Sequence, residues 1–102
     1  MSTTDQEVHA QSLAGQIVAE GLAACVQVQA IQSFYVWQGR PQATREWLLM
    51  IKTREPLYGE LERFIRANHH YETPEVVCLP ITAGAADYLA WVRAQTSRPL
   101  QA

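Results

Sequence analysis

Between Asp5 and Glu20 the apolar residues Val8, Ala10, Leu13, Ala14, Ile17 and Val18 recur every three or four positions, the spacing of one face of an α-helix. Thr4 or Asp5 stands where an N-cap belongs, Glu7 places negative charge at the positive end of the helix dipole, and Gly21 supplies a residue able to close the helix in the left-handed conformation. From Leu22 to Trp37 the period drops to two, as in Val26-Gln27-Val28-Gln29, which predicts a half-buried strand. Gln38-Gly39-Arg40-Pro41 reads as a turn and Thr44 to Thr53 as a second strand, so the pair forms a long antiparallel hairpin with Trp37 and Trp47 near its tip. A hairpin of that length overhangs a small domain. Its strand edges and aromatic tip would invite aggregation on a monomer, which implies cover by another subunit.

Pro56 suits the first turn of a second helix, where its missing N–H costs nothing, and Leu57, Leu61, Phe64 and Ile65 give that helix an apolar stripe ended by Asn68. The polar stretch from His69 to Glu75 leads into Val76-Val77-Cys78-Leu79-Pro80-Ile81, an unbroken apolar run that predicts a strand covered on both faces. Pro80 must end it, bulge it or face an edge. Ala86 to Ala94 reads as a last helix with Tyr88, Trp91 and Val92 on one side, and Ser97 to Ala102 as a polar tail. The order is helix, strand, strand, helix, strand, helix, which points to an α+β sandwich with helices on one sheet face. Split βαβ units are the commonest small fold of that kind, and they place a strand before the first helix that this pattern lacks.

The chain has 102 residues, which suits one domain over 1–102 with a core burying about 60–70% of the unfolded surface. At 48% hydrophobic and 18% charged it lies outside the disordered regime, and no apolar run approaches the roughly 20 residues of a membrane span. Eight Lys and Arg against ten Asp and Glu give a net charge of −2, with the basic residues scattered, so a nucleic-acid partner is not expected. The polar, acidic start shows no basic and apolar export signal, and the expected location is cytoplasmic. Cys25 and Cys78 each sit among apolar neighbours and read as buried thiols, small hydrophobes rather than a disulfide; CxxC and HExxH are absent.

Five segments together resemble the CutA family, the divalent-cation tolerance proteins: Leu22-Ala23-Ala24-Cys25-Val26; Ser33-Phe34-Tyr35-Val36-Trp37-Gln38-Gly39; Glu46 through Lys52-Thr53; His69-His70-Tyr71-Glu72-Thr73-Pro74-Glu75; and Gly84 with Tyr88-Leu89-Ala90-Trp91. They span Thr4 to Ala94 in the family's order. The resemblance implies a ferredoxin-like βαββαβ sandwich with a C-terminal helix, assembled as a homotrimer in which the hairpin wraps a neighbour. It also implies divalent-cation tolerance and copper binding, a likeness to PII-type signalling trimers, and no catalysis. Three departures stand out. The apolar first strand expected before Thr4 is missing, and since that strand is central, the sequence is expected to start inside a longer natural chain. His69-His70-Tyr71 replaces the usual His-Pro-Tyr. The stretch from Cys25 to Ser33 lacks the Pro or Gly of an expected bulge.

His69 and His70 are the candidate metal ligands, since neutral imidazole suits copper and zinc, although adjacent side chains in an extended segment point apart. Only His69 matches the family's histidine. The cysteine tied to copper in the family falls nearest Ser2 here, and neither Cys25 nor Cys78 replaces it by alignment. Copper or another divalent cation is the expected ligand, with none required for folding. Tyr35, Trp37, Trp47, Tyr88 and Trp91 read as core and interface packing, without the basic residues a stacking platform needs. Glu46, Lys52, Tyr71, Glu75 and Asp87 are candidates for an inter-subunit cleft or ion-pair network. No nucleophile with a base, phosphate loop or other catalytic signature occurs, so the chain is not expected to be an enzyme.

Overall fold

A computed structural model describes residues 1–97. Two 13-residue strands, β2 (Cys25–Trp37) and β3 (Arg40–Lys52), pair in one unbroken antiparallel register from Cys25 opposite Lys52 to Trp37 opposite Arg40. No bulge interrupts them. Gln38 at φ 51° and Gly39 at φ 77° make the two-residue turn, both in the left-handed region whose twist matches the flanking strands. The turn is thus tighter than the sequence indicates, with Arg40 and Pro41 inside β3. Only Trp37 lies at the tip: Trp47 is opposite Ala30 and packs against the core, because β3 starts four residues before the expected Thr44.

The expected absence of a first strand is corrected by β1 (Ser2–Thr4), which pairs antiparallel with Leu49, Leu48 and Trp47 of β3. On its other side Ser2 bridges Val76, Met1's ammonium donates to the Val77 carbonyl at 2.7 Å, and Val77 N–H donates back to Met1. The sheet order is β1-β3-β2, so β1 is an edge strand whose outer side meets only the Val76–Val77 backbone, and Ser2, Thr3 and Thr4 are all buried. The strand expected over Val76–Ile81 is reduced to that single bridge. Its pairing ends at Val77, opposite Met1, and Val77, Leu79 and Ile81 are exposed rather than covered on both faces.

Helix α1 (Glu7–Ala19) buries Ala10, Leu13 and Ile17 against the sheet, while Val8 and Val18 from the expected apolar face are exposed. Its N-cap is Gln6, without a side-chain bond, because the Thr4 hydroxyl and the Asp5 carboxylate are engaged by histidines instead. At the other end Gly21 has φ 70°; its N–H reaches the Val18 carbonyl and that of Leu22 the Ile17 carbonyl, the paired bonds of a Schellman motif. A 3₁₀ turn (Glu55–Leu57) holding Pro56 leads into α2 (Tyr58–Ala67), which buries Leu61 and Ile65 and is closed by Asn68, whose Nδ2 donates to the Phe64 carbonyl. Helix α3 (Ala86–Gln95) buries Val92, leaving Tyr88 and Trp91 partly exposed.

The core joins Ala10, Leu13, Ile17, Leu22, Ala23, Leu49, Leu61 and Ile65. At about 25 cal/mol per Å² of apolar surface, the leucine and isoleucine side chains among them each contribute roughly 1.5–3 kcal/mol when fully buried. Cys25 is half-buried and Cys78 exposed, both as free thiols; the expectation of a buried thiol fails at Cys78 because its segment is uncovered. The outer hairpin stretches the molecule to 43 × 29 × 23 Å. The expected polar tail lies, past Ser97, outside the described residues.

Candidate functional site

The end of β1, the first turns of α1 and the loop after α2 bring three imidazoles together. Ring centroids are 5.0 Å apart for His9 and His69, 5.0 Å for His9 and His70, and 5.2 Å for His69 and His70. The last two stack at 27°, so these neighbours do not point apart as an extended segment would require. Chain direction reverses after α2, and each ring finds its own acceptor on a different element.

Those acceptors fix the tautomers. His69 Nε2 lies 2.8 Å from the Thr3 carbonyl, which can only accept, and Tyr71 N–H donates to His69 Nδ1 at 3.1 Å. The ring is thus neutral, with its proton on Nε2 and its lone pair already used. Burial lowers its pKa below the ordinary 6.5, opposed by the bond to Thr3 and reinforced by the adjacent His9 and His70. His9 Nε2 donates to the Asn68 carbonyl at 2.8 Å, and the Thr4 hydroxyl sits 2.7 Å from Nδ1, tying α1 to β1 and to the end of α2. His70 Nε2 donates to Asp5 Oδ1 at 2.7 Å on the half-exposed rim, and His70 Nδ1 carries none of the described hydrogen bonds.

Beneath the rings, the Tyr71 hydroxyl donates to Glu46 Oε2 at 2.8 Å. Burial, with the Glu46 bond and charge next, drives the Tyr71 pKa far above its usual 10, so this phenol keeps its proton at every ordinary pH. Glu46 is buried in β3, and the pair braces the loop against the sheet.

Of the expected site residues, His69, His70, Tyr71 and Glu46 are therefore brought together. Lys52, Tyr88 and Trp91 form a separate group: Lys52 Nζ donates to Gln27 Oε1 at 2.9 Å and stands 6.0 Å over the Tyr88 ring, whose centroid is 5.7 Å from that of Trp91. Asp87 accepts from the Tyr88 N–H beside them, and Glu75 lies close enough to raise the pKa of Met1's amino group against the lowering effect of its burial. Tyr35 and Trp37 belong to the outer hairpin, where the Tyr35 hydroxyl meets Thr44 Oγ1 at 3.0 Å. The sequence reading missed His9, Thr3, Thr4 and Asp5 as members of the histidine cluster. The spacing of Asp5 and His9 along a helix start was the one signal available, and nothing in one dimension ties them to residues sixty positions later.

Among the described residues no group of three or more His, Cys, Asp or Glu side chains is arranged to hold a metal ion. The cluster does not fit a resident metal, since His69 has both ring nitrogens committed to backbone groups. No helix among the described residues is long and apolar enough to cross a membrane.

Comparison with known proteins gives a consistent answer. The CutA1 divalent ion tolerance protein family matches residues 1–95. The divalent-cation tolerance protein CutA of Thermus thermophilus is 40% identical over 95 residues, covering 92% of each chain. The chloroplastic protein CutA 1 of Oryza sativa subsp. japonica is 49% identical over 85 residues, 82% of this chain but 48% of its own length, so the chain spans about half of that plant relative. In three dimensions, the structure described as the periplasmic divalent cation tolerance protein CutA from Archaeoglobus fulgidus superimposes with a TM-score of 0.92 at 30% identity over 94% of both chains. That family is described by tolerance to divalent ions and not by a catalysed reaction. By sequence over nearly its whole length and by the arrangement of its helices and three-stranded sheet, the chain belongs to the CutA1 divalent ion tolerance family.

Proposed function

We propose that the chain serves divalent-cation tolerance in the cytoplasm as a ferredoxin-like homotrimer that binds copper or another divalent cation reversibly, with His70 as the contact residue. The observation that carries this reading is the 2.7 Å bond from His70 Nε2 to Asp5 Oδ1. A carboxylate on one ring nitrogen fixes the tautomer and the orientation of the imidazole, the arrangement commonly found behind metal-ligating histidines. His70 Nδ1 then offers a lone pair at the surface, whereas His69, the histidine that matches the family, acts as a brace. A single imidazole holds a cation weakly, which suits a passing ligand. Copper titration by calorimetry tests this. Binding near one ion per chain should vanish in His70→Ala, weaken in Asp5→Asn and survive in His69→Asn. Unchanged affinity in His70→Ala overturns it.

The trimer rests on the outer hairpin, whose Phe34 and Val36 are 76% and 70% exposed and which a single chain leaves uncovered. Light scattering should give about three times the 11.5 kDa of the chain. A second reading, a regulatory or scaffold module for a small ligand, is favoured by the Lys52, Tyr88 and Trp91 group, where a cation and two half-exposed rings offer a surface for an anionic aromatic molecule. A chain that ignores copper but shifts its tryptophan fluorescence with such a ligand supports that alternative.

A further inference from the structure

Three consecutive residues each engage one of the three histidines. The Thr3 carbonyl accepts from His69, the Thr4 hydroxyl meets His9, and the Asp5 carboxylate accepts from His70. His9 stands apart from the other two in its origin. His69 and His70 belong to the loop after α2, whereas His9 is the third residue of α1, beside the fully buried Ala10, and so approaches from the same side of the contact as Asp5.

His9 also has no nitrogen free for a ligand. Its Nε2 donates to the Asn68 carbonyl at 2.8 Å, and in the neutral ring Nδ1 then accepts from the Thr4 hydroxyl at 2.7 Å. Asn68 is the C-cap of α2, its Nδ2 donates to the Phe64 carbonyl, and the next two residues are His69 and His70. The His9 bond therefore fixes where the loop leaves α2 relative to the start of α1. His69 ties the loop to β1 through Thr3, and only His9 ties it to α1; Asp5 lies between the two elements.

Ring contacts act in the same direction. His70 is flanked by His9 at 5.0 Å, His69 at 5.2 Å and Tyr71 at 4.9 Å, and the His9 ring meets it edge-on at 65°. With three rings around it and a carboxylate on Nε2, His70 has little rotamer freedom left to lose when Nδ1 takes a cation, and preordering of that kind strengthens binding.

We propose that His9 is a positioning residue for His70: through its bond to the Asn68 carbonyl it holds the His70 imidazole against Asp5, and so sets the affinity for a divalent cation that it does not touch. This rests on the reading of His70 as the cation contact. Asp5 orients His70 directly; His9 acts one step further out, by placing the two partners of that bond.

The test is calorimetric titration of the full chain with copper(II) alone, across three changes at one position. His9→Phe keeps a ring and removes both hydrogen bonds. His9→Gln carries an amide N–H at about the reach of imidazole Nε2 and restores the bond to Asn68, whereas His9→Asn reaches only as far as Nδ1 and restores at most the bond to Thr4. His9→Phe and His9→Asn should weaken copper binding about tenfold, the lower end of what partners behind a ligating histidine carry, and His9→Gln should stay within about twofold of the parent chain. In an Asp5→Ala background the His9→Phe change should cost less than about twofold, because residues that act through one shared contact are not additive. Loss of a merely structural prop would give neither the rescue by Gln nor the dependence on Asp5. Parent-like affinity in His9→Phe overturns the proposal, as does rescue by Asn rather than Gln, or the same tenfold loss with and without Asp5. His70→Ala, run in parallel, separates the two readings. Binding lost there but kept in His9→Phe overturns the role of His9 alone, whereas binding kept in His70→Ala overturns the cation contact and the role of His9 together.

Discussion

The two halves of the hairpin share one ladder and live in different surroundings. In the inner half, Val26 of β2 and Trp47, Leu49 and Ile51 of β3 lie against the helices, and Glu46 is buried with its hydroxyl partner. In the outer half the pairing continues without a fault from Gln32 opposite Arg45 to the turn, yet Phe34, Val36 and Trp37 face solvent. Backbone pairing is thus a local property and burial a tertiary one. A two-stranded ribbon is marginal by itself in water, so the outer half owes its order to the inner half and, in the trimer proposed above, to a neighbour.

Leu49→Ala tests the inner half most severely. Truncating a fully buried Leu should cost about 3 kcal/mol in urea unfolding, whereas Phe34→Ala should leave the chain's own folding within about 0.5 kcal/mol and act on assembly mass instead. Equal losses at the two positions would erase the distinction. Tyr71→Phe removes the hydroxyl from the buried Glu46 carboxylate and should destabilise by about 1–3 kcal/mol. At the far end, Gly39→Ala places a Cβ at φ 77°, where space is open but the backbone is strained, at a cost of about 1 kcal/mol visible as a lower Tm. Ser2→Ala runs the other way. The Ser2 hydroxyl is buried without a hydrogen-bond partner, and its removal should raise stability by up to about 1 kcal/mol. The smallest effect is one of pH. His69 has a folded pKa below its unfolded 6.5, so the unfolded chain binds the extra proton first. Stability should be level above about pH 6.5 and decline as pH falls toward the folded pKa, a dependence reduced in His69→Asn.

Periodicity made α1, α2 and the hairpin legible, since each buries one face and so writes it as spacing. The errors cluster where short polar segments meet distant ones. Ser2-Thr3-Thr4 carries no strand signal, being too short and too polar, and is a strand only because Leu49 and Val76 flank it. Val76–Ile81 has the composition of a buried strand and lies uncovered, because composition records what a segment can pair with and not what pairs with it. Placing Trp47 near the tip followed from starting β3 at Thr44, since Arg40 and Pro41 look like turn residues and are in fact paired with Trp37 and Val36. His69, His70, Tyr71 and Glu46 could be nominated one at a time. Their joint geometry could not, because it depends on His9 and on the Thr3 carbonyl, a backbone atom that no side-chain pattern reveals.

The bond between Met1 and Val77 joins residues 76 positions apart, and it sets the order in which the molecule can be completed. The hairpin needs only its own two-residue turn and can close within about 1–10 μs once both strands exist. β1 can lie against β3 as soon as Lys52 has been made, but its second edge must await Val77. At a synthesis rate of about 5–20 residues per second, β1 therefore spends roughly 4–15 s before the partner on its outer side is formed.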